Sequence, residues 1–218
     1  MSRNPLQRTG YRINILETSA CIEYAINGNY RRSGSIKTFK SNFNDKVSEF
    51  VSKCNEIWFT DIIKNEARNV LSKAVNILFD EKFGEGNQAL LRSVIISQAM
   101  ERLNQLFNDS TCKDVEDIDT AAIYSFYNNL YATPEGMRKL EELKIRKRVN
   151  YWMPETNDII ILAEAVELLK KELLCLISGD GHFTEFKDEI LADLNLTIFD
   201  FYDLHHVDHP VSSSNETA

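Results

Sequence analysis

The sequence predicts an α/β protein in which a parallel β-sheet is flanked by helices and a helical insertion interrupts the sheet-forming parts of the chain. Three observations predict this fold class. Short runs rich in apolar, β-branched and aromatic residues alternate with runs of helical periodicity, an order typical of parallel sheets covered on both sides. One run, "LLCLIS", is almost continuously apolar, as expected for a strand buried on both faces. In the middle of the chain, by contrast, the apolar patterns are helical.

Residues 11–84 predict two strands, each followed by a helix. Thr18 and Ser19 follow the first apolar run and are suitable N-caps for the first helix. The run "EIWFTD" is rich in β-branched and aromatic residues, which favours a strand. The predicted elements are, in order, a strand over 11–16, a helix to about Ile26, a polar loop that carries Arg31 and Arg32, a helix over 42–53, the strand "EIWFTD" and a helix over 62–78.

Residues 85–150 predict a helical insertion. The segments "ALLRSVIISQAMERLNQLF", "DIDTAAIYSFYNNLY" and "TPEGMRKLEELKIRKR" all carry apolar residues at helical spacing. Thr133 before Pro134 is a good helix start, because proline suits the first helical position. The apolar faces of these helices must pack on the rest of the chain or on a partner.

The remainder of the chain returns to the α/β pattern. A long helix from about Asp158 to Lys171 precedes the strand "LLCLIS", and "LNLTIFDF" predicts the last strand. Residues 151–203 therefore complete the domain begun by 11–84. The ends are polar, which predicts a flexible N-terminus over 1–10 and a disordered tail over 204–218.

The composition is that of an ordinary soluble globular protein, with 43% hydrophobic and 27% charged residues in a chain of 218. The chain opens without the apolar core of a signal peptide, and its run "DIIILAEAVELL" is too short to span a bilayer. We therefore predict a cytoplasmic protein without membrane contact. The net charge of −8 argues against a protein coated in nucleic acid, although it allows a local basic site.

Several enzyme classes lack their sequence signatures. Nothing in the sequence resembles a P-loop or a G-x-G-x-x-G turn, and the D-x-D of aspartate phosphatases does not follow the first strand. The four cysteines show no C-x-x-C pairing, and Cys21 and Cys175 lie in apolar runs. We therefore predict reduced, structural thiols, which argues against thiol catalysis.

Four carboxylates are predicted to meet at one edge of the sheet. Glu17 follows the first strand, Glu66 lies one turn into the helix after the second, and Asp180 follows "LLCLIS". Asp158 begins the helix before that strand, where the topology brings it to the same edge. Neighbouring carboxylates raise each other's pKa, and Mg²⁺ or Mn²⁺ relieves the repulsion through oxygen ligands. Two such ions can activate water and stabilise the leaving oxygen of a phosphodiester.

The segments that carry these acids resemble, in the same order, the motifs of the PIN-domain nucleases. The segments are "ILETSACIEY", "WFTDIIKNEARNVL", "ETNDIIILAEAVEL" and "LISGDGHF". The family pattern is an Asp-Thr-Ser/Asn opening, a mid-chain Glu, an Asp that starts an alanine-rich helix, and a closing Thr/Ser-x-Asp-x-Asp/His-Phe. The catalytic and metal-binding positions that the resemblance implies are Glu17, Glu66, Asp158 and Asp180, with Ser19 and Ser178 as hydroxyl partners that orient ligands or water.

The resemblance covers about residues 11–80 and 151–203 and leaves the helical middle unexplained. It implies a PIN fold and a Mg²⁺- or Mn²⁺-dependent endoribonuclease with RNA as the substrate, often the toxin of a toxin–antitoxin pair. It leaves room for an antitoxin or another protein partner on the helical insertion. A homodimer is a further open alternative.

One departure from the family pattern leaves two functions open. The family opens with Asp, whereas this chain has Glu17, and the extra methylene moves the carboxylate by roughly 1.5 Å. Catalytic geometry tolerates about half an ångström. The chain is therefore either a ribonuclease with a shifted metal site or a catalytically degenerate PIN-like module that binds RNA or protein. Each acid also has an ordinary structural interpretation, as a helix cap, a solvated helix residue, a first-turn acid or a turn residue.

Basic residues near aromatic residues predict contacts with single-stranded nucleic acid. The principal set is Lys144, Arg146, Lys147 and Arg148 beside Tyr151 and Trp152, and the second is Arg31 and Arg32. Cations at a helix C-terminus are also favoured by the helix dipole alone. His182 is interpreted either as a substrate contact or as a surface residue. The segment "HHVDH" could bind a transition metal, but its position favours an unstructured tail.

Overall fold

The computed structural model describes residues 13–32, 34–84, 88–147 and 153–202, with the side chains of Arg32 and Lys147 left undescribed. Several predictions concern parts of the chain outside these residues. They are the flexible start over 1–10, the tail over 204–218 with its "HHVDH" segment, and the contacts of Arg148, Tyr151 and Trp152.

The centre of the molecule is a parallel sheet flanked by helices, as the sequence predicted. The sheet has five strands in the order β5-β4-β1-β6-β7. A separate antiparallel hairpin is formed by β2 and β3. In chain order the strands are β1 (Ile13–Leu16), β2 (Asn27–Arg32), β3 (Ser35–Lys40), β4 (Glu56–Thr60), β5 (Thr111–Lys113), β6 (Leu174–Ser178) and β7 (Thr197–Asp200).

The helices before residue 170 lie close to the predicted positions, whereas the two helices between the last two strands were not predicted. They are α1 (Thr18–Ala25), α2 (Asn44–Lys53), α3 (Asp61–Phe83), α4 (Ala89–Asn108), α5 (Thr120–Tyr131), α6 (Pro134–Lys147), α7 (Thr156–Leu169), α8 (Gly181–Thr184) and α9 (Lys187–Leu194). The predicted start of α6 is confirmed, and the Thr133 hydroxyl accepts a hydrogen bond from the backbone N–H of Gly136 at 3.0 Å. None of the described helices is long and apolar enough to cross a membrane.

The two central strands are buried at every position, which explains their apolar sequences. The side chains of β1 and β6 lie between helices on both faces of the sheet. Cys21 and Cys175 are buried in this core, and all four cysteines are free thiols, as predicted.

The segment predicted as a polar loop is instead the β2–β3 hairpin. The turn includes Gly34 with φ of +79°, a conformation that glycine adopts without strain. Phe39 is the residue that anchors the hairpin: it is 1% exposed and its ring packs on Phe79 and Phe83 of α3. The other positions from 35 to 38 remain exposed, which explains why the segment is polar.

The predicted helical middle also contains a strand. Thr111–Lys113 forms β5, which pairs in parallel with the end of β4 and becomes one edge of the central sheet. Three residues are too few to display a period of two in the sequence, so this strand was not predicted. The middle of the chain therefore contributes to the sheet as well as to the helical region.

Candidate active site

A crevice lies at the ends of two neighbouring parallel strands whose next strands in the chain lie on opposite sides of them in the sheet. β1 and β6 pair side by side, with Leu16 opposite Ile177. The chain leaves β1 toward β4 on one side of the sheet and leaves β6 toward β7 on the other. In α/β sheets, ligands bind beyond the carboxyl ends of the strands at such a switch point. The residues that directly follow these two strands therefore lie at the natural position for a ligand site.

A pocket of about 330 Å³ occupies this crevice, and all four predicted carboxylates line it. Glu17 precedes α1, Glu66 lies in the second turn of α3, Asp158 lies in the first turn of α7, and Asp180 precedes α8. The other lining residues are Thr18, Ser19, Ile22, Glu23, Val70, Glu155, His182, Phe201 and Tyr202. Four segments that are far apart in the chain thus bring their acids to one place.

Glu17 is held by three hydrogen bonds to one carboxylate oxygen. It is the N-cap of α1 and is 3% exposed. Its Oε2 accepts a hydrogen bond from the backbone N–H of Ser19 at 3.0 Å and others from the hydroxyls of Ser19 and Ser178, the latter at 2.9 Å. No described residue donates a hydrogen bond to Oε1 of Glu17, so this oxygen is available to a ligand in the pocket.

The two serines that were predicted as hydroxyl partners connect Glu17 to the loop that carries Asp180. The Ser19 hydroxyl accepts a hydrogen bond from the backbone N–H of Gly179, and the Ser178 hydroxyl accepts one from the backbone N–H of Asp180, both at 2.9 Å. Each hydroxyl therefore donates to Glu17 and accepts from the loop after β6. This arrangement fixes the two ends of the central strands relative to each other.

Glu66 is oriented by residues adjacent to two of the other acids. The Thr18 hydroxyl donates to Oε2 of Glu66 at 2.5 Å, and the side-chain amide of Asn157 donates to Oε1 at 3.0 Å. Thr18 follows Glu17 in the chain and Asn157 precedes Asp158, so each contact joins two of the four motifs. Both residues were missed as functional candidates, although their positions beside predicted acids were a usable signal.

Asp158 and Asp180 also serve as helix-capping residues. Oδ2 of Asp158 accepts a hydrogen bond from the backbone N–H of Glu155 at 3.0 Å in a capping box, and Oδ1 of Asp180 accepts one from the backbone N–H of His182 at 2.7 Å. The structural interpretation of these acids is therefore correct for one oxygen of each. It does not explain why two capping acids share a pocket with the buried Glu17 and the half-buried Glu66.

Burial and the repulsion of neighbouring charges raise the pKa values of Glu17 and Asp158. Burial raises the pKa of Glu17 from 4.5 to about 7; hydrogen bonds from Ser19 oppose this rise, and the charge of Asp180 adds to it. Burial also raises the pKa of Asp158 from 3.8 to about 8, with further contributions from the charges of Asp180, Glu17 and Glu66. A cation bound beside these carboxylates would lower their pKa values, because a nearby opposite charge favours the charged form.

The chemistry of the donors fits a hard divalent cation that keeps most of its waters. The pocket offers carboxylate oxygens, which are the ligands that Mg²⁺ and Mn²⁺ prefer. Within the described parts of the chain, however, no three His, Cys, Asp or Glu side chains converge closely enough to form a complete metal cage. Mg²⁺ is commonly bound by one or two carboxylates together with water and substrate phosphates, so a complete protein cage is not required.

His182 joins the pocket to the helical middle of the chain. It is 5% exposed, its Nδ1 lies 3.2 Å from the hydroxyl of Tyr131, and its carbonyl accepts a hydrogen bond from the hydroxyl of Tyr127 at 3.0 Å. Both tyrosines belong to α5, so the segment that the family resemblance leaves unexplained packs directly behind the pocket. Of the two interpretations of His182, the structure supports a pocket residue rather than a surface one.

The predicted basic residues occupy different parts of the surface. On α6, Arg146 forms an ion pair with Glu185 at 2.5 Å, and Lys144 lies 3.5 Å from Glu141. Arg31 lines a separate groove formed by the β2–β3 hairpin and the start of α4, so it does not belong to the acidic pocket. The side chains of Arg32 and Lys147, and all of Arg148, lie outside the described part of the structure.

Comparison with known protein families finds none that matches this chain, and comparison with curated proteins likewise finds no match. The chemistry assigned to the pocket must therefore be argued from its own residues. The most informative feature is the combination of four carboxylates with three hydroxyl groups and an amide that orient the two glutamates.

Proposed function

We propose that this protein is a metal-dependent ribonuclease of the PIN type. The observation that carries this proposal is the pocket itself, where Glu17, Glu66, Asp158 and Asp180 meet at the switch point of the parallel sheet. The same four residues stand in segments whose order resembles the PIN-domain motifs. A structural role explains the capping acids separately, whereas a cation site explains why all four share one pocket.

In this proposal Mg²⁺ or Mn²⁺ binds among the four acids, each ion through one or two carboxylates together with water and substrate phosphate, and the surrounding polar residues keep the acids in position. When bound, such a cation lowers the pKa of water and stabilises negative charge on phosphate oxygens. Ser19 and Ser178 donate hydrogen bonds to one oxygen of Glu17 and leave the other for the ligand. Thr18 and Asn157 each donate a hydrogen bond to one oxygen of Glu66 and so fix the orientation of its carboxylate. Such supporting contacts set the position and the basicity of metal ligands.

The electrostatics of the pocket favour a cation-dependent approach of the substrate. An RNA phosphate is repelled by a group of carboxylates and is attracted once cations neutralise them. Arg146 on α6 is 59% exposed despite its ion pair with Glu185, so it remains accessible to a phosphate. The proposal therefore requires that cleavage depends on a divalent cation and that the cation strengthens RNA binding.

The proposal is tested by incubating the purified full chain with end-labelled single-stranded RNA in the presence of Mn²⁺, Mg²⁺ or EDTA. Cleavage is expected with either cation and not with EDTA. Ser178→Ala is expected to reduce the cleavage rate about 10- to 100-fold, because such a change disturbs a ligand without removing it. Part of the loss should be recovered at a higher Mn²⁺ concentration.

Ser93→Ala is the matched control for this serine, because Ser93 is exposed on α4 and does not line the pocket. Its cleavage rate should equal that of the parent. Equal rates for Ser178→Ala and Ser93→Ala would place any observed cleavage outside this pocket. Circular dichroism of both variants checks that the buried substitution leaves the fold intact.

A second candidate function is a catalytically degenerate module that binds RNA or protein. The observation in its favour is that, among the described residues, no three potential ligands form a complete cage, in a chain that has Glu17 where the family has Asp. This candidate and the ribonuclease are distinguished by the response of the site to a shorter side chain at position 17.

Glu17→Asp is expected to lower the cleavage rate about tenfold in the ribonuclease proposal. The serine hydroxyls are positioned for the glutamate oxygen, and shortening the side chain by one methylene removes hydrogen bonds of the kind that orient metal ligands. The measurement is the initial rate as a function of Mn²⁺ concentration. If the protein is inactive and Glu17→Asp creates activity, the degenerate module is the correct description.

A further inference from the structure

An exposed aromatic ring lies at the rim of the acidic pocket. Tyr202 follows the last strand and lines the pocket together with the carboxylates. Its ring meets Phe43 edge-on with the centroids 4.5 Å apart, and it is tilted against Phe201 at 4.6 Å. Tyr202 nevertheless remains 46% exposed. The ring is thus supported from behind by two aromatic residues while part of its surface faces solvent.

The position of this ring is fixed to the loop between β6 and α8. The backbone N–H of Phe201 donates to the carbonyl of Ser178 at 3.2 Å, and that of Tyr202 donates to Oδ1 of Asp200 at 2.8 Å. The ring of Phe201 packs so closely on Gly179 that a Cβ atom there would lie 2.2 Å from it. Gly179, the first glycine of "SGDGHF", is therefore required by the same packing that places Tyr202 beside the acids.

Two cationic side chains lie near the ring in this otherwise acidic region. The Lys46 ammonium is 5.0 Å from the centroid of Phe43 and donates to the carbonyl of Tyr202 at 3.4 Å. Partial burial and the charges of Glu23, Asp200 and Asp180 raise the pKa of the Tyr202 hydroxyl, and Arg146 is close enough for its charge to oppose that rise. An aromatic surface with cations beside it is the combination that binds single-stranded nucleic acid, by base stacking and phosphate attraction.

We infer that Tyr202 is a stacking platform for an unpaired nucleobase next to the phosphodiester at the carboxylates, with Lys46 and Arg146 near the flanking phosphates. The inference rests on the proposed ribonuclease function and adds a contact for one base of its single-stranded substrate, because bases inside a duplex are stacked on their neighbours and offer no free face. Every base has a π-face, so the platform confers little sequence preference. It therefore contributes affinity and positioning rather than base recognition.

The test measures binding of a labelled single-stranded oligoribonucleotide to the full chain carrying Asp180→Asn, in the presence of Mg²⁺. Adding Tyr202→Ala is expected to weaken binding about tenfold, whereas Tyr202→Phe should stay within about twofold, because stacking needs the ring and not the hydroxyl. An oligonucleotide with abasic residues in place of the bases should bind equally weakly with Tyr202 or alanine. Tyr124→Ala is the matched control, because Tyr124 is 38% exposed and does not line the pocket.

The outcomes separate this inference from the proposed function. Unchanged RNA binding after Tyr202→Ala overturns the platform. An equal loss of binding for the abasic oligonucleotide also overturns it, as does the absence of RNA binding by the chain that carries Asp180→Asn alone. Cleavage by the wild-type protein is measured separately with Mn²⁺. Base-dependent RNA binding without cleavage would retain the platform and reject the ribonuclease. Cleavage with a KM that Tyr202→Ala does not change would retain the ribonuclease and reject the platform.

Discussion

Asp180→Asn is expected to reduce RNA cleavage by about a thousandfold, the upper end of what removing one electrostatic contact to a transition state costs. Asparagine retains the oxygen that accepts the backbone N–H of His182, so the cap of α8 is preserved. What is lost is the negative charge that the proposed cation requires. The measurement is the single-turnover rate of cleavage at saturating RNA over a range of Mn²⁺ concentrations.

The matched control for this substitution is Asp193→Asn, which makes the same chemical change at an exposed position of α9. Its rate should equal that of the wild-type protein. A rate within about tenfold of wild type for Asp180→Asn would reject the assignment of this acid to the reaction, since that loss is typical of a residue that only orients a ligand. A thermal unfolding temperature of Asp180→Asn at or above that of Asp193→Asn would exclude misfolding as the cause, because removing this charge relieves repulsion on Glu17 and Asp158.

The convergence of the acids could be predicted because it depends on topology alone. An apolar run that ends in a carboxylate places that carboxylate at one edge of a parallel sheet, and Glu17 and Asp180 each follow such a run. Glu66 was placed at the same edge because it lies one turn into the helix that follows the second predicted strand, and the resemblance to known motifs supported this placement. The predicted strands β1, β4, β6 and β7 are all present in the sheet.

Other features of the fold could not be predicted because they depend on contacts between distant segments. The β2–β3 hairpin was interpreted as a loop, since its fully buried ring, Phe39, packs on α3 some forty residues away along the chain. The strand β5 has three residues and is defined by its partner β4. Tyr127 and Tyr131 looked like ordinary apolar positions of a helix, and only the packing of α5 brings their hydroxyls to His182.

The free energy of unfolding of the metal-free protein is expected to fall as the pH rises from about 4 to 9. The pKa of Glu17 rises from 4.5 to about 7 on folding and that of Asp158 from 3.8 to about 8, so the folded state binds more protons than the unfolded state between these values. Stability therefore decreases with pH in this window. For the fully buried Glu17 alone the loss is about 3 kcal/mol.

This prediction is checked by urea unfolding in EDTA at several pH values. Glu17→Gln and Asp158→Asn should each flatten the dependence of unfolding free energy on pH, because the substituted side chains do not titrate. Glu172→Gln, at an exposed position after α7, is the control and should leave the slope unchanged. A parent whose stability did not change between pH 5 and pH 8 beyond the control variant would show that the two carboxyls are not desolvated as described.

Addition of Mn²⁺ should reverse the loss of stability, and its effect should grow with pH. A cation that binds only the folded state stabilises it according to its concentration and affinity, and protons compete with it for the same carboxylates. The increment should therefore be small at pH 5, where Glu17 and Asp158 are protonated, and largest above pH 8. A pocket built for structural reasons alone would remain destabilised at high pH whether or not the cation was present, because nothing would relieve the repulsion among its acids.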